Sequence, residues 1–453
     1  MAAERSVVEQ LNTPVAGDYD VVVVGGGASG TVAAIAAARA GAKTLLLERG
    51  GCLGGAATTN LIAQWVAFCH HDTQIVRGIP DELRQRVQAS GGSEGFHHFT
   101  MGEAAGTPFK LVTFPFNPEV MKIVLDDAVG EAGVKTLFHV AFSRVIADGG
   151  RVGGVVAETV EGRRAFLSGV VVDASGDAAV CSSVGVPCLG EEQEARRLRQ
   201  PCTLSFRLSN VDVPKFRSLP SAERRRLVLG GLERGELYWQ SISFVSTPGD
   251  TDAICLMSRI LDIDALSAED ASRAETIGRR QIASIVRFLS REIPGFERAI
   301  LADIAERVGV RETRRIRGAY MLTEQDIMNE ASFDDAVALG AGPMDTHQET
   351  GTGIRLYAPP SPFEIPLRTL LPVGARGVIA CGRNLCATRE ALGGARHMAT
   401  CMALGEAAGN LAAIAARSHR DPSEVPAAEV QERLERGGAL YRRSSVEQVA
   451  VLA

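Results

Sequence analysis

The hydrophobic pattern opens with Tyr19 to Val24, a β-branched apolar run that ends in Gly25-Gly26-Gly27-Ala28-Ser29-Gly30 and passes into the alanine-rich stretch Thr31 to Ala40. This predicts strand, tight turn and helix. Gly41 stops the helix, Lys43 to Leu47 form a second apolar strand, and Glu48 stands at its carboxyl end, which completes a β-α-β unit. Further on, Asn117-Pro118 supplies an N-cap and a first-turn proline for a helix running to about Glu131, Gly133 closes it, and Val134 to Val140 is the next strand. Three short strand-like pieces follow, separated by Asp148-Gly149-Gly150 and Glu161-Gly162, as in a small antiparallel meander. The chain then rejoins the main sheet at Val170 to Asp173.

From about Glu191 to Leu371 the pattern changes. Strand signals near Thr203 to Leu208 mix with a long helical period from Ser267 to Glu292. Ser267 with Asp270, and Thr323 with Asp326, have capping-box spacing and mark helix starts, with no chemistry implied. The sheet pattern resumes at Gly377 to Cys381, and a helix of small residues runs from about Met398 to Arg417. The predicted fold class is therefore α/β: a Rossmann-like dinucleotide-binding domain, discontinuous over 18–190 and 372–418, surrounding an inserted α+β substrate domain at 191–371. Residues 1–17 and 419–453 are terminal extensions.

Composition then removes several classes of function. At 453 residues, 45% hydrophobic and 23% charged, the chain has more than one core's worth of apolar residues and is not disordered. Its net charge is -6, and the densest basic run, Arg224 to Arg226, directly follows Glu223, which reads as a solvated helix face rather than a nucleic-acid footprint. Met1 to Gly17 has no apolar signal region, and no uninterrupted apolar segment approaches the ~20 residues a bilayer requires, so neither secretion nor membrane insertion is expected. Nine cysteines without a C-x-x-C pair point to reduced thiols and a cytoplasmic setting rather than to disulfides or a metal site. The pairs His70-His71 and His97-His98 are read as solvated loop histidines, because neighbours on an extended strand face opposite ways and one metal cannot take both.

The chemistry concentrates in glycine. A helix N-terminus offers unpaired amides and partial positive charge, so a turn bared at Gly25, Gly27 and Gly30, with Ala28 and Ser29 between, admits a pyrophosphate. Glu48, about 20 residues beyond and followed by Arg49, stands where the dinucleotide fingerprint places an acid for ribose hydroxyls. Three later features favour a long, flavin-bearing nucleotide over NAD. Gly54, Gly55 and Ala56 form a second bare stretch; Gly176 and Asp177 end the strand at Asp173; Gly382 and Gly394 bracket a turn into the helix whose first turn holds Ala399.

Together VVVVGGGASG (21–30), ERGGCLGG (48–55), VVDASGD (171–177), GVRETRRIRGAYMLTEQDI (309–327), PFEIPLRTLLP (362–372) and GRNLCATREALGGARHMATCMALGEAAG (382–409) resemble the FAD-dependent oxidoreductases related to glutathione reductase and fumarate reductase flavoproteins. The resemblance implies FAD, a flavin-binding domain split around a substrate domain, and redox chemistry on varied small molecules. Where that pattern has a small hydroxyl residue and a histidine, this chain has Cys386 and Arg389.

Hydride transfer to a flavin needs a proton acceptor and an anchor for the substrate. Arg396 and His397, just before the last helix, are the catalytic candidates: His397 for proton transfer, Arg396 for an anionic substrate group. Asp345 and His347 lie on an approach to the same region, and Arg311, Arg314 and Arg315 are expected to form an ion-pair network. The expected partner is a small-molecule substrate, with a homo-oligomer left open. A monooxygenase using NAD(P)H and oxygen, an electron-relay flavoprotein subunit and a non-catalytic NAD-binding regulator are the competing readings.

Overall fold

Val21 to Val24 are buried on both faces, as a central parallel strand requires. They end strand β1 (Val15–Val24) in a computed structural model that describes residues 7–104, 107–191, 199–347 and 354–448. Helix α1 (Ala28–Arg39) and strand β2 (Thr44–Leu47) follow, with Val24 beside Leu47 in parallel register. The alternation of the strand sends Val21 and Val23 into one core and Val22 and Val24 into another on the opposite face. Helix α2 (Pro118–Glu131), whose Asn117 cap accepts from the Glu119 amide at 2.9 Å, leads to β3 (Lys135–Leu137), parallel to β2.

Strands β4 (Ala141–Asp148), β5 (Arg151–Thr159) and β6 (Gly162–Asp173) form the expected meander, but its third piece and the return to the main sheet are one continuous strand of 12 residues. Gly169 does not interrupt it, because no turn is needed where the strand passes from one neighbour to another. The first half of β6 pairs antiparallel with β5, its last residues pair in parallel with β7 (Val378–Ala380), and β1 runs parallel along its length. The order across the sheet is β3-β2-β1-β6-β5-β4, with β7 also on β6.

The intervening chain builds a separate four-stranded antiparallel sheet from Phe206–Ser209, Phe244–Ser246, Ala253–Cys255 and Ile300–Ile304. Between the third and fourth of these strands in sequence runs the helix Ala268–Glu292, capped by Ser267, with Ala274, Gly278, Ile282, Ile285 and Leu289 on its buried face and Gly278 against Leu204 and Ile260. Helix α3 (Arg389–Ala395) and helix α4 (Met398–Ser418) follow, with a shorter helix, Ala427–Arg436, after them. A Cβ at Gly405 would stand 2.3 Å from the Ser29 carbonyl and one at Gly409 would stand 2.2 Å from that of Ala33, so α4 lies backbone to backbone on α1. By length and composition α4 is apolar enough to cross a bilayer, which the count of uninterrupted apolar residues did not foresee; 89% of that stretch is buried within the protein.

The register places Val24, Asp173 and Ala380 side by side at the carboxyl ends of β1, β6 and β7. Loops starting at Gly25, Glu48, Ala174 and Cys381 therefore leave one edge of one sheet, the position where open parallel sheets bind ligands.

Candidate functional site at the carboxyl edge of the sheet

Three glycines divide the work of the first turn. Gly25 has φ +104° and its Cβ would meet the Ala174 carbonyl at 2.5 Å; at Gly30 it would lie 1.8 Å from the Gly25 carbonyl. Both are bare because backbones touch there. Gly27 differs: nothing lies within 4 Å of its Cβ position, and it caps α1 with no side chain contributing. The helix start thus presents uncapped amides to open space, the environment a pyrophosphate needs. Ala28 is half-buried beside it, and the Ser29 hydroxyl donates to the Cys381 carbonyl at 3.3 Å, tying the first loop to the last.

The buried Glu48 carboxylate accepts from the amides of Gly26 and Gly50, each at 2.6 Å. Each oxygen keeps lone-pair capacity for a further donor. Arg49 is exposed. The second bare stretch lies directly on the first: the Gly54 amide donates to the Gly26 carbonyl at 2.8 Å, and a Cβ at Gly55 would be 2.9 Å from Gly27 Cα. Ala56, half-buried, follows in the same short turn.

Gly176 packs under the Arg383 guanidinium, which donates to Asp177 at 2.6 Å and to Thr313 at 3.0 Å; Thr313 in turn donates to Asp177 at 2.8 Å. Burial works to raise the Asp177 pKa, but Arg383, the Thr313 hydroxyl and the more distant Arg49 outweigh it and hold the carboxyl below its ordinary range. Gly382, at φ +95°, leaves room for Ser29, whose Oγ would be 2.5 Å from a Cβ there. Asn384 donates to the Asp173 carbonyl at 2.9 Å. Arg383, Asn384 and Thr313 were not singled out from the sequence, since each is a lone polar residue whose partner comes from another loop.

Gly394 serves a different contact. Its Cβ position faces the Gly342 carbonyl at 3.0 Å and Met344, while Gly393 faces the backbone of Asp345, so both let α3 lie against the strand Met344–His347. Ala399 is buried in the first turn of α4.

Arg396 contacts Asp345 Oδ2 and Gln200 Oε1, both at 3.4 Å, and the Asp345 carbonyl at 3.3 Å. His397 sits in a space left by Gly342, its Nε2 3.2 Å from the Pro343 carbonyl. A carbonyl only accepts, so Nε2 carries the proton and Nδ1 is the free acceptor. Burial first, then the adjacent Arg396, push the imidazole pKa down to about 4 against the opposing effects of Pro343 and Asp345. The side chain of His347 lies outside the described residues.

The expected arginine network divides. Arg314 pairs with Glu191 at 2.6 Å, whereas Arg311 turns to Pro201 and Thr203 and makes no ion pair among the described residues. Arg389 binds Glu312 at 3.3 Å beside the buried Cys386. His70 and His71 do not face opposite ways: His71 has φ +50°, the strand has already turned, and the rings stand 4.4 Å apart. Among the described residues, no group of three or more His, Cys, Asp or Glu side chains is placed to hold a metal ion.

The family model for FAD dependent oxidoreductases matches residues 20–434, nearly the whole chain. The chain belongs to the FAD dependent oxidoreductase family. It is an enzyme that uses FAD as its redox cofactor. No curated protein sequence matches it. Among solved structures it is similar to a geranylgeranyl bacteriochlorophyll reductase-like protein from Thermoplasma acidophilum, with 15% identity, 95% of this chain and 87% of the other covered, and a TM-score of 0.49. A flavin-dependent brominase gives 16% identity over 93% and 84% with a TM-score of 0.48, and p-nitrophenol 4-monooxygenase from Pseudomonas putida gives 13% over 95% and 86% with 0.46.

Proposed function

We propose that FAD lies extended along the carboxyl edge of the sheet and that the enzyme moves a hydride between the flavin and a small-molecule substrate held on the Arg396 side. The observation that carries this is the convergence of four loops, at Gly25, Glu48, Ala174 and Cys381, with open space in front of Gly27. The Gly27 turn and the amides of α1 would take the pyrophosphate, and Glu48 the ribose hydroxyls. Gly176, Asp177 and Gly382 would border the remaining length of the cofactor. FAD, when bound, supplies a two-electron acceptor or donor.

The chain's own groups supply the rest. Arg396 fixes the substrate by an anionic group, and the ring of His397, held by Pro343, offers Nδ1 as acceptor for a substrate proton. The nearer kinship to glutathione reductase and fumarate reductase flavoproteins, a dinucleotide domain over 18–190 and 372–418, a substrate domain over 191–371 and a cytoplasmic setting belong to the same reading. The domain division is supported by the separation of the seven-stranded sheet from the four-stranded one.

The test is an absorption spectrum of the purified protein before and after acid precipitation, followed by anaerobic addition of candidate substrates. A yellow protein that releases FAD and is bleached by a substrate is expected. A colourless protein from which denaturation frees no flavin overturns the proposal; substrate-dependent NAD(P)H oxidation that consumes oxygen would instead establish a monooxygenase.

A further inference from the structure

We propose that Arg311 and Arg396 together form a two-guanidinium seat for a carboxylate, so that the substrates of this enzyme are small organic acids. The inference rests on the flavin reading above and names the class of molecule the same site accepts.

Arg311 is the unexplained residue. Its Nη1 donates to the Pro201 carbonyl at 2.5 Å and the Thr203 hydroxyl at 2.9 Å, both uncharged, and among the described residues no carboxylate pairs with it. Burial and the positive charge of Arg396 both disfavour its protonated form and bring its pKa down to about 10, with Asp345 and Cys202 acting the other way. A half-buried guanidinium beside a like charge is costly unless an anion joins the pair. Asp345 meets Arg396 at 3.3–3.4 Å, and among the described residues the buried Nε of Arg396 has no acceptor.

The seat also stands in the right place. Arg396 reaches Gln200 and Arg311 reaches the carbonyl of the next residue, Pro201, so one short stretch of chain brings the two guanidiniums together; Cys202, in the same stretch, lies in the field of Arg311 and of Arg383, which puts the pair near the Cys381 to Asn384 loop at the sheet edge. Arg396 directly precedes His397 and α4. An acid seated between the two guanidiniums would accept charge-assisted hydrogen bonds from planar donors shaped for a carboxylate, with its reacting carbon held on the side of the His397 ring.

The experiment titrates the FAD-loaded protein with benzoate, lactate and succinate, with their amides as neutral counterparts and with inorganic phosphate, reading the flavin absorption. At least one acid is expected to give a saturable change, its amide none, and phosphate a weaker response. Arg311→Met should weaken the acid by about ten- to a hundredfold at unchanged flavin content, and Arg311→Lys should recover part of the loss. If the methionine variant does not fold, the lysine variant decides, because it keeps the charge and loses the fork. Equal binding of acid and amide, tighter binding of phosphate, or an unchanged acid affinity in the Arg311 variants overturns the proposal. A colourless wild-type protein would defeat the flavin reading instead, while a yellow protein blind to every acid defeats only this one.

Discussion

Asp177 and Arg383 are 206 residues apart and meet through a 2.6 Å bond. One follows β6 and the other β7, so their ion pair ties two loops of the sheet edge together. Replacement of Arg383 by methionine leaves Asp177 and Thr313 without their shared donor. Both partners keep some solvent access, so the expected loss is about 1–3 kcal/mol, with weakened flavin retention. Urea unfolding and an FAD-binding titration of the variant check this, and wild-type values in both would show that the pair holds nothing.

The glycines of the first turn should separate under mutation. Gly30→Ala puts a methyl group where a carbonyl stands 1.8 Å away and should destabilise the fold by several kcal/mol, near the upper end for single substitutions of about 4–5 kcal/mol. In Gly27→Val the Cβ meets no neighbour, and the change should cost about 1 kcal/mol or less in the apoprotein, yet abolish flavin binding by filling the space before α1. Thermal unfolding with and without added FAD distinguishes the two; an unfolded Gly27→Val apoprotein would contradict it.

Glu406 lies in the middle of α4, buried against the start of the helix Ile79–Ala89, and accepts from the Ile79 amide at 3.0 Å. Burial raises its carboxyl to about 8, outweighing Ile79 and Arg39, while Glu82 adds to the rise. A folded-state pKa above the unfolded value means stability that is full below about pH 4.5 and lost as pH climbs through 8, on the order of 5 kcal/mol in all. Glu406→Gln should remove this slope and be the more stable protein at pH 9, with no advantage at pH 5. Identical Tm profiles over that range would refute the assignment.

His397 has the opposite sign. Its pKa is lowered to about 4, so its contribution to stability is present above the unfolded value near 6.5 and is lost as pH falls through 4. The neutral ring should persist across the neutral range. The pH profile of substrate-dependent flavin reduction should therefore show no inflection between pH 6 and 7 that disappears in His397→Asn. An inflection of that kind would mean that the ring titrates normally in the working enzyme.

Local pattern carried much of the fold. The β-α-β start, the Asn117 and Ser267 caps and the extent of α4 all depend on neighbours within one or two turns of chain, and each was legible. The continuity of β6 was not, because whether Gly169 ends a strand depends on which strands flank it. The pair His70-His71 misled for a similar reason: one left-handed residue, His71, undoes the alternation on which the strand argument relied.

By itself the sequence determined where backbone had to be bare and which helix would present its amides, since a glycine's missing Cβ and a helix start are properties of a few adjacent residues. It did not determine what each bare backbone faces. Only the tertiary structure decided that Gly27 opens onto space while Gly30 and Gly394 touch protein. In the same way it decided that, among the described residues, Arg314 finds a carboxylate and Arg311 does not, because burial and charge pairing are set by groups that come together from distant parts of the chain.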